Sequence, residues 1–231
     1  RAANFMIRDL VKANHGTVLA ERYRPLGDAD FGAIIAEIGA LKPDVVLNTI
    51  NGESNTHFFR ALHEARLGAI PVMSFSLAEE GLKAIGPQAF HPNHYAVWSY
   101  FQSVPGTANQ RFVEVFQQRY GADRVTSDPI EAAYVGVWLW AGAVRDTGTV
   151  EREQVRHALL HQSTASPSGI AAVDRGTRHL WKQVRIGKAR ADGQFDLIWN
   201  SGDTLRPDPF PDHRSQSEWQ RLVAEQFGAR P

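Results

Sequence analysis

The stretch Lys42–Arg66 limits the choice of fold more than any other part of the chain. Its opening, KPDVVLNTI, is an apolar, β-branched run through Val45, Val46, Leu47, Thr49 and Ile50, the composition of a buried strand. Asn51-Gly52 ends the run as a turn signal. The pattern then resumes at helical spacing in THFFRALHEAR, with Phe58, Phe59, Leu62 and Ala65 marking the apolar side. A strand that turns straight into a helix is the unit of a parallel sheet, and ligands of such sheets bind in the loops at the carboxyl ends of the strands. Asn48, Asn51, Glu53, Ser54 and Asn55 crowd this junction, more donors and acceptors than a bare linker needs. The loop is expected to face a small polar ligand, although turn and cap chemistry alone also accounts for Asn51 and Ser54.

The flanking segments extend the alternation. Phe5, Ile7, Leu10 and Val11 give residues 4–14 one apolar face, and His15-Gly16 stops that helix. Thr17–Tyr23 reads as a strand, Pro25-Leu26-Gly27 as a turn, and Asp28 or Asp30 as the cap of a helix over Phe31–Leu41. Pro71–Ser74 follows as a short strand. Ser76 and Glu79 have capping-box spacing at the start of the next helix, and His94–Phe101 is a further strand. Helix and strand in turn predict an α/β fold with a parallel, helix-covered sheet.

After Gln102 helices fill most of residues 107–162, with Asp128-Pro129 and Glu131 opening the middle one. Its run EAAYVGVWLWAGAV is apolar nearly all round and is expected to be buried against a large partner surface. A loop STASPSG leads to β segments at Ile170–Val173, Leu180–Arg190 and Phe195–Trp199, with Asp192-Gly193 as a hairpin turn. The proline-rich LRPDPFPDHRSQSEWQ is expected to be an extended surface strap. The first helix has no strand before it and the apolar helix no evident partner. Both point to the C-terminal part of a longer protein, whose sheet should lack its first strand and leave apolar edges exposed.

Composition narrows function by exclusion. The formal net charge is zero, so no overall field draws the chain to nucleic acid or an anionic membrane. No apolar run is long enough to span a bilayer. The absence of cysteine removes disulfides, thiolate zinc sites and cysteine nucleophiles. His91-Pro92-Asn93-His94 lacks a third ligand nearby, and His57 and His63 face different ways on their helix. No nucleophile elbow, phosphate loop or dinucleotide glycine pattern occurs. No metal, no cofactor and no enzymatic role are expected.

The segments KPDVVLNTINGESN, IPVMSFSLAEE, YFQSVPGTANQRFVEVFQQRYGADRVTSDPIEAAYVGVWLW and LRPDP together resemble the urea-binding proteins of urea ABC transporters. More distantly they resemble the short-chain amide sensor that controls amidase expression. Both have the type I periplasmic-binding-protein fold of the leucine/isoleucine/valine-binding kind, and the similarity runs from the first helix to Pro209. The resemblance implies two α/β lobes joined by three crossings, with ligand clamped in the cleft. Residues 1–104 would then form most of the second lobe, 105–165 would cross back to the first, and 166–231 would supply returning β segments and the strap. It implies a solute-binding protein that delivers urea or a small amide to an ABC permease from the periplasm. An amide sensor signalling to a regulatory partner, cytoplasmic in that case, and a branched-chain amino-acid-binding protein are the alternatives.

Urea and small amides are neutral and planar, with NH₂ donors and one carbonyl acceptor. Each buried group left unpaired costs about 1–3 kcal/mol. Oxygens should therefore meet the NH₂ groups and a donor the carbonyl. The loops after three successive strands offer Asn51, Gly52 and Glu53, then Ser74, Ser76 and Glu79, and Tyr100 near the crossing. Gly52 would let the backbone approach closely. For Trp98 and Tyr100, core or hinge packing is favoured over a ligand platform.

Overall fold

In the computed structural model, which describes residues 2–228, the chain divides into two compact units. Residue 1 and residues 229–231, at the outer ends of the first and last expected segments, lie outside the described residues. The smaller unit joins the two ends of the sequence. It contains α1 (Ala2–Ala13) and α8 (Gln216–Phe227). Trp219 of α8 is fully buried, edge-on to Phe5 and stacked on Phe210. Asp9 accepts two hydrogen bonds from Arg214 at 2.7 and 2.8 Å and one from His213 at 2.6 Å. A carboxylate so surrounded is held low, at about 2, chiefly by the Arg214 bonds.

The larger unit, residues 23–207, is built on a five-stranded sheet. Its strands are β1 (Val46–Asn48), β2 (Val72–Ser74), β3 (His94–Trp98), β7 (Arg185–Ala189) and β8 (Phe195–Asn200), in that order. The first three run parallel, while β7 and β8 add antiparallel neighbours. The sheet is thus mixed rather than purely parallel. The helices α2 (Gly32–Leu41), α3 (Ser54–Glu64) and α4 (Glu79–Ile85) alternate with its first strands. Phe31, Phe58, Phe59, Leu62, Val72, Phe101 and Phe195 form the centre of the core. A Cβ on Gly187, at the bulge of β7, would come within 2.9 Å of both Phe101 and Phe195, so that close approach requires glycine. β1 is an edge strand, and Val45 and Leu47 are exposed there.

α5 (Thr107–Tyr120), α6 (Asp128–Thr147) and α7 (Arg152–Leu159) follow, with a small antiparallel sheet of β4 (Ser163–Ser166), β5 (Gly169–Val173) and β6 (Leu180–Trp181). Val135, Leu139 and Ala171 are the buried residues of this second, thinner core.

Several expectations need correction. Thr17–Tyr23 forms no strand: β-branched composition favours a strand only where the context supplies a ladder. β3 ends at Trp98, and Phe101 makes only an isolated bridge to Ser127. The apolar helix α6 is not buried all round. One face meets α7 and β4, while Val137, Trp138 and Trp140 are 65, 46 and 49 % exposed. STASPSG is a hairpin rather than a loop, because β4 and β5 pair across Pro167-Ser168 with Ser166 opposite Gly169. The strap stops at Ser215, whose hydroxyl accepts from the Glu218 N–H in a full capping box that starts α8. No such box forms at Ser76, since α4 begins at Glu79 without a side-chain cap.

Candidate functional site

The carboxyl edge of β1, β2 and β3 is drawn together by side chains that bridge loops. At the end of β1, Asn48 donates to Asn55 Oδ1 at 2.9 Å and to Ser74 Oγ at 3.1 Å, and its Oδ1 accepts the Ile50 N–H at 2.8 Å. Asn55, in the first turn of α3, donates to the Ile50 carbonyl at 2.7 Å. Ser74 Oγ lies 2.9 Å from His94 Nε2. Because Asn48 already donates to Ser74, the serine proton is free to go to Nε2. Burial pushes the His94 imidazole down to about 3 and keeps it neutral. All four side chains are buried, and a satisfied buried network fixes a single arrangement of the loops it joins.

The second loop is pinned to the first. The Phe75 N–H donates to the Asn48 carbonyl at 3.0 Å, and Ser76 Oγ donates to the Ile50 carbonyl. The third is pinned to the second, since Trp98 Nε1 donates to the Leu77 carbonyl at 2.9 Å. Beyond Trp98, Asp128 at the start of α6 accepts the Ser99 and Tyr100 N–H groups at 3.0 and 2.8 Å. Buried Arg185 donates to the Ser99 carbonyl, and to the Ser168 carbonyl at 3.0 Å. Glu131 accepts from Ser168 Oγ at 2.9 Å and pairs with Lys182. These charges brace the place where the chain leaves the sheet for α5.

The expected residues separate by accessibility. Asn51, Gly52 and Glu53 are exposed at the mouth, with Gly52 at φ +66°, and Ser76 is half-buried. Ser74 is buried within the asparagine network. Tyr100 is buried with its hydroxyl turned inward, donating to Asn109 Oδ1 at 2.8 Å and 2.7 Å from Thr126 Oγ1. Glu79 is buried too; its Oε1 accepts the Gln102 N–H at 2.7 Å. Desolvation, with Glu80 and Asp128 nearby, pushes its carboxyl up to about 8. Ser54 Oγ and Glu79 Oε2 are the buried side-chain polar atoms without a partner among the described residues. Both sit on this edge, and such orphaned groups are rare enough to need a reason.

Sequence reasoning missed Phe75, and named Asn48 and Trp98 without the bridging bonds they make. Phe75 stands between the two expected serines and is 37 % exposed at the rim. Asn48 and Trp98 hold the rim without facing outward. Asn48 was visible as a polar residue closing an apolar strand, while the roles of Phe75 and Trp98 depend on pairings between loops.

Residues 1–216 match the model of the periplasmic binding protein domain, and the chain belongs to that family, whose members bind solutes rather than transform them. Its fold is the type I fold of the solved members. A solute-binding protein of an ABC transporter from Rhodopseudomonas palustris BisB5, in complex with 3,4-dihydroxybenzoic acid, superimposes with a TM-score of 0.79 at 20 % identity, covering 90 % of this chain and 58 % of that one. A leucine-binding protein from Thermotoga maritima gives a TM-score of 0.68 at 20 % identity, covering 86 and 55 %. A limonene hydroxylase of Geobacillus stearothermophilus is 31 % identical over 140 residues, which are 58 % of this chain and 26 % of that protein. The chain thus spans a little over half the length of these solved relatives and about a quarter of the hydroxylase. Among the described residues no helix is long and apolar enough to cross a membrane, and no three His, Asp or Glu side chains are grouped to hold a metal ion.

Proposed function

We propose that this chain supplies one wall of the solute site of an ABC-transporter binding protein, and that the solute is urea or a small neutral amide. The supporting observation is the chemistry of the rim at the carboxyl edge of β1–β3. Its loops, residues 48–55, 74–80 and 98–102, contain exposed Glu53 and Glu80 together with amide and hydroxyl groups, and no Lys, Arg or His; buried Glu79, pushed up to about 8, is a neutral acid behind them. Buried Arg185 is committed to carbonyls and to Gln183. A rim of oxygen acceptors suits the NH₂ groups of a neutral amide, and repels a carboxylate that brings no cation of its own.

Glu53 and Asn51 offer their oxygens to the NH₂ groups, and the Gly52 N–H, which donates to no other group among the described residues, suits the carbonyl. Closure of a second lobe would remove the solute from water and present the closed form to a permease. The periplasm is the corresponding compartment.

One observation favours a second reading. Exposed Phe75 offers an apolar platform at the rim, and the solved relatives include proteins bound to a dihydroxybenzoic acid and named for leucine. An aromatic or aliphatic carboxylate would need its cation from outside this chain's loops.

Calorimetric titration with acetamide tests the proposal. Glu53→Gln and Asn51→Ala are each expected to weaken binding at least tenfold (about 1.4 kcal/mol). Unchanged affinity in both variants would remove this loop from the site.

A further inference from the structure

We infer that Asn51 is a site of spontaneous covalent modification, deamidation through a cyclic imide, placed in the mouth of the candidate solute site. Asn51 is the only asparagine of the chain followed by glycine. The reaction needs the backbone nitrogen of residue 52 to reach the side-chain carbonyl carbon of Asn51. With no Cβ, Gly52 leaves that approach open and its backbone adaptable.

The surroundings select this asparagine among its neighbours. Asn51 is exposed, and its amide makes a single contact, 3.5 Å from the Thr49 carbonyl, a length that restrains little. The turn is closed by the Asn55 N–H on the Gly52 carbonyl at 3.2 Å and the Thr56 N–H on the Glu53 carbonyl at 2.9 Å. Among the described residues the Gly52 N–H donates no hydrogen bond, so the nucleophile is not tied up. Asn48, Asn55 and Asn109 are buried and each holds several hydrogen bonds. Their amides cannot rotate into the reacting position without breaking them.

The chemistry balances with water alone. A base removes the Gly52 N–H proton and the nitrogen bonds to Asn51 Cγ. The side-chain nitrogen leaves as ammonia, giving a five-membered imide. Water then opens either carbonyl. One opening yields aspartate; the other yields isoaspartate, with the main chain running through Cγ and longer by one methylene. Each product adds a negative charge beside Glu53, and isoaspartate also resets the turn leading into α3.

The modification stands on the loop's own chemistry; its effect on binding rests on the functional reading above. The protein, Asn51→Gln and Gly52→Ala are aged at mildly alkaline pH and mapped by peptide mass spectrometry. The peptide holding residues 51–52 is expected to gain about 1 Da in the unaltered protein. Asn51→Gln should show no gain there, and Gly52→Ala a gain slowed about tenfold by its Cβ. No gain, or a gain located instead at Asn93 or Asn200, would overturn the inference. The aged protein is also titrated with acetamide, where a tenfold loss is expected. A modified protein that binds as before would leave the modification standing and remove this loop from the solute site.

Discussion

Glu79→Gln tests the electrostatics of the carboxyl edge. Glu79 is buried, its Oε1 takes the Gln102 N–H, and its Oε2 has no partner among the described residues. Its carboxyl is pushed up from 4.5 to about 8. The folded state therefore holds a proton that the unfolded chain releases near pH 4.5. Stability contributed by the neutral acid is complete below that pH, falls as pH rises, and is lost once pH passes about 8. At about 1.4 kcal/mol per pH unit the whole interval corresponds to about 5 kcal/mol. Relaxation and water penetration reduce this, so about 2–4 kcal/mol is the expected readout. Glutamine keeps the oxygen that accepts from Gln102 and cannot ionise. Guanidinium unfolding of both proteins from pH 5 to pH 9, about four units spanning the titration, isolates Glu79 with the carboxylates coupled to it, Glu80 and Asp128, because the titrations of uncoupled groups cancel in the difference. The glutamine variant should gain on the parent steadily with pH and level off above about 8. Parallel stability profiles would show that Glu79 ionises at an ordinary value and that its burial has no electrostatic cost.

Other perturbations have equally definite outcomes. Asp9→Asn should cost about 1 kcal/mol at neutral pH after allowance for solvent screening. The parent's advantage should vanish as pH falls from about 4 towards 2, because a depressed carboxylate stabilises only while ionised; acid titration of unfolding midpoints checks it. Trp219→Ala removes the buried centre of the α1–α8 unit and should cost about 3–5 kcal/mol, read as lost near-ultraviolet dichroism. Trp138→Glu, on the exposed apolar face of α6, should change stability by no more than about 0.5 kcal/mol while reducing self-association seen in sedimentation. A large loss there would mean that Trp138 packs within this chain.

Legibility followed the range of the interactions. The strand–turn–helix unit at Lys42–Arg66 was readable because its signals are local: a β-branched run, Asn-Gly, then helical spacing. The Asp192-Gly193 hairpin was readable likewise, and the Arg190 N–H donates to the Gln194 carbonyl across it at 2.8 Å. Two instances of the same motif show where local reading stops. Ser215 and Glu218 form a capping box, whereas the same spacing at Ser76 and Glu79 does not. There the serine hydroxyl is taken by the Ile50 carbonyl of another loop and the glutamate by the Gln102 N–H. Thr17–Tyr23 has strand composition without a strand, and α6 has buried composition with an exposed face, because both outcomes are decided by what lies alongside. The polar crowding at Asn48–Asn55 was visible in sequence. Its division into an inner network, Asn48 with Asn55, and an outer mouth, Asn51 with Glu53, required the pairing of β1 with β2.

We propose that the carboxyl edge of β1–β3 grips a neutral amide rather than an anion. Calorimetric titration of the protein with urea, acetamide, benzoate and leucine at one pH separates the two. Urea or acetamide is expected to bind at least tenfold more tightly than benzoate or leucine, with affinity insensitive to salt because no net charge is transferred. Tight, salt-sensitive benzoate or leucine binding with no response to either amide would contradict it.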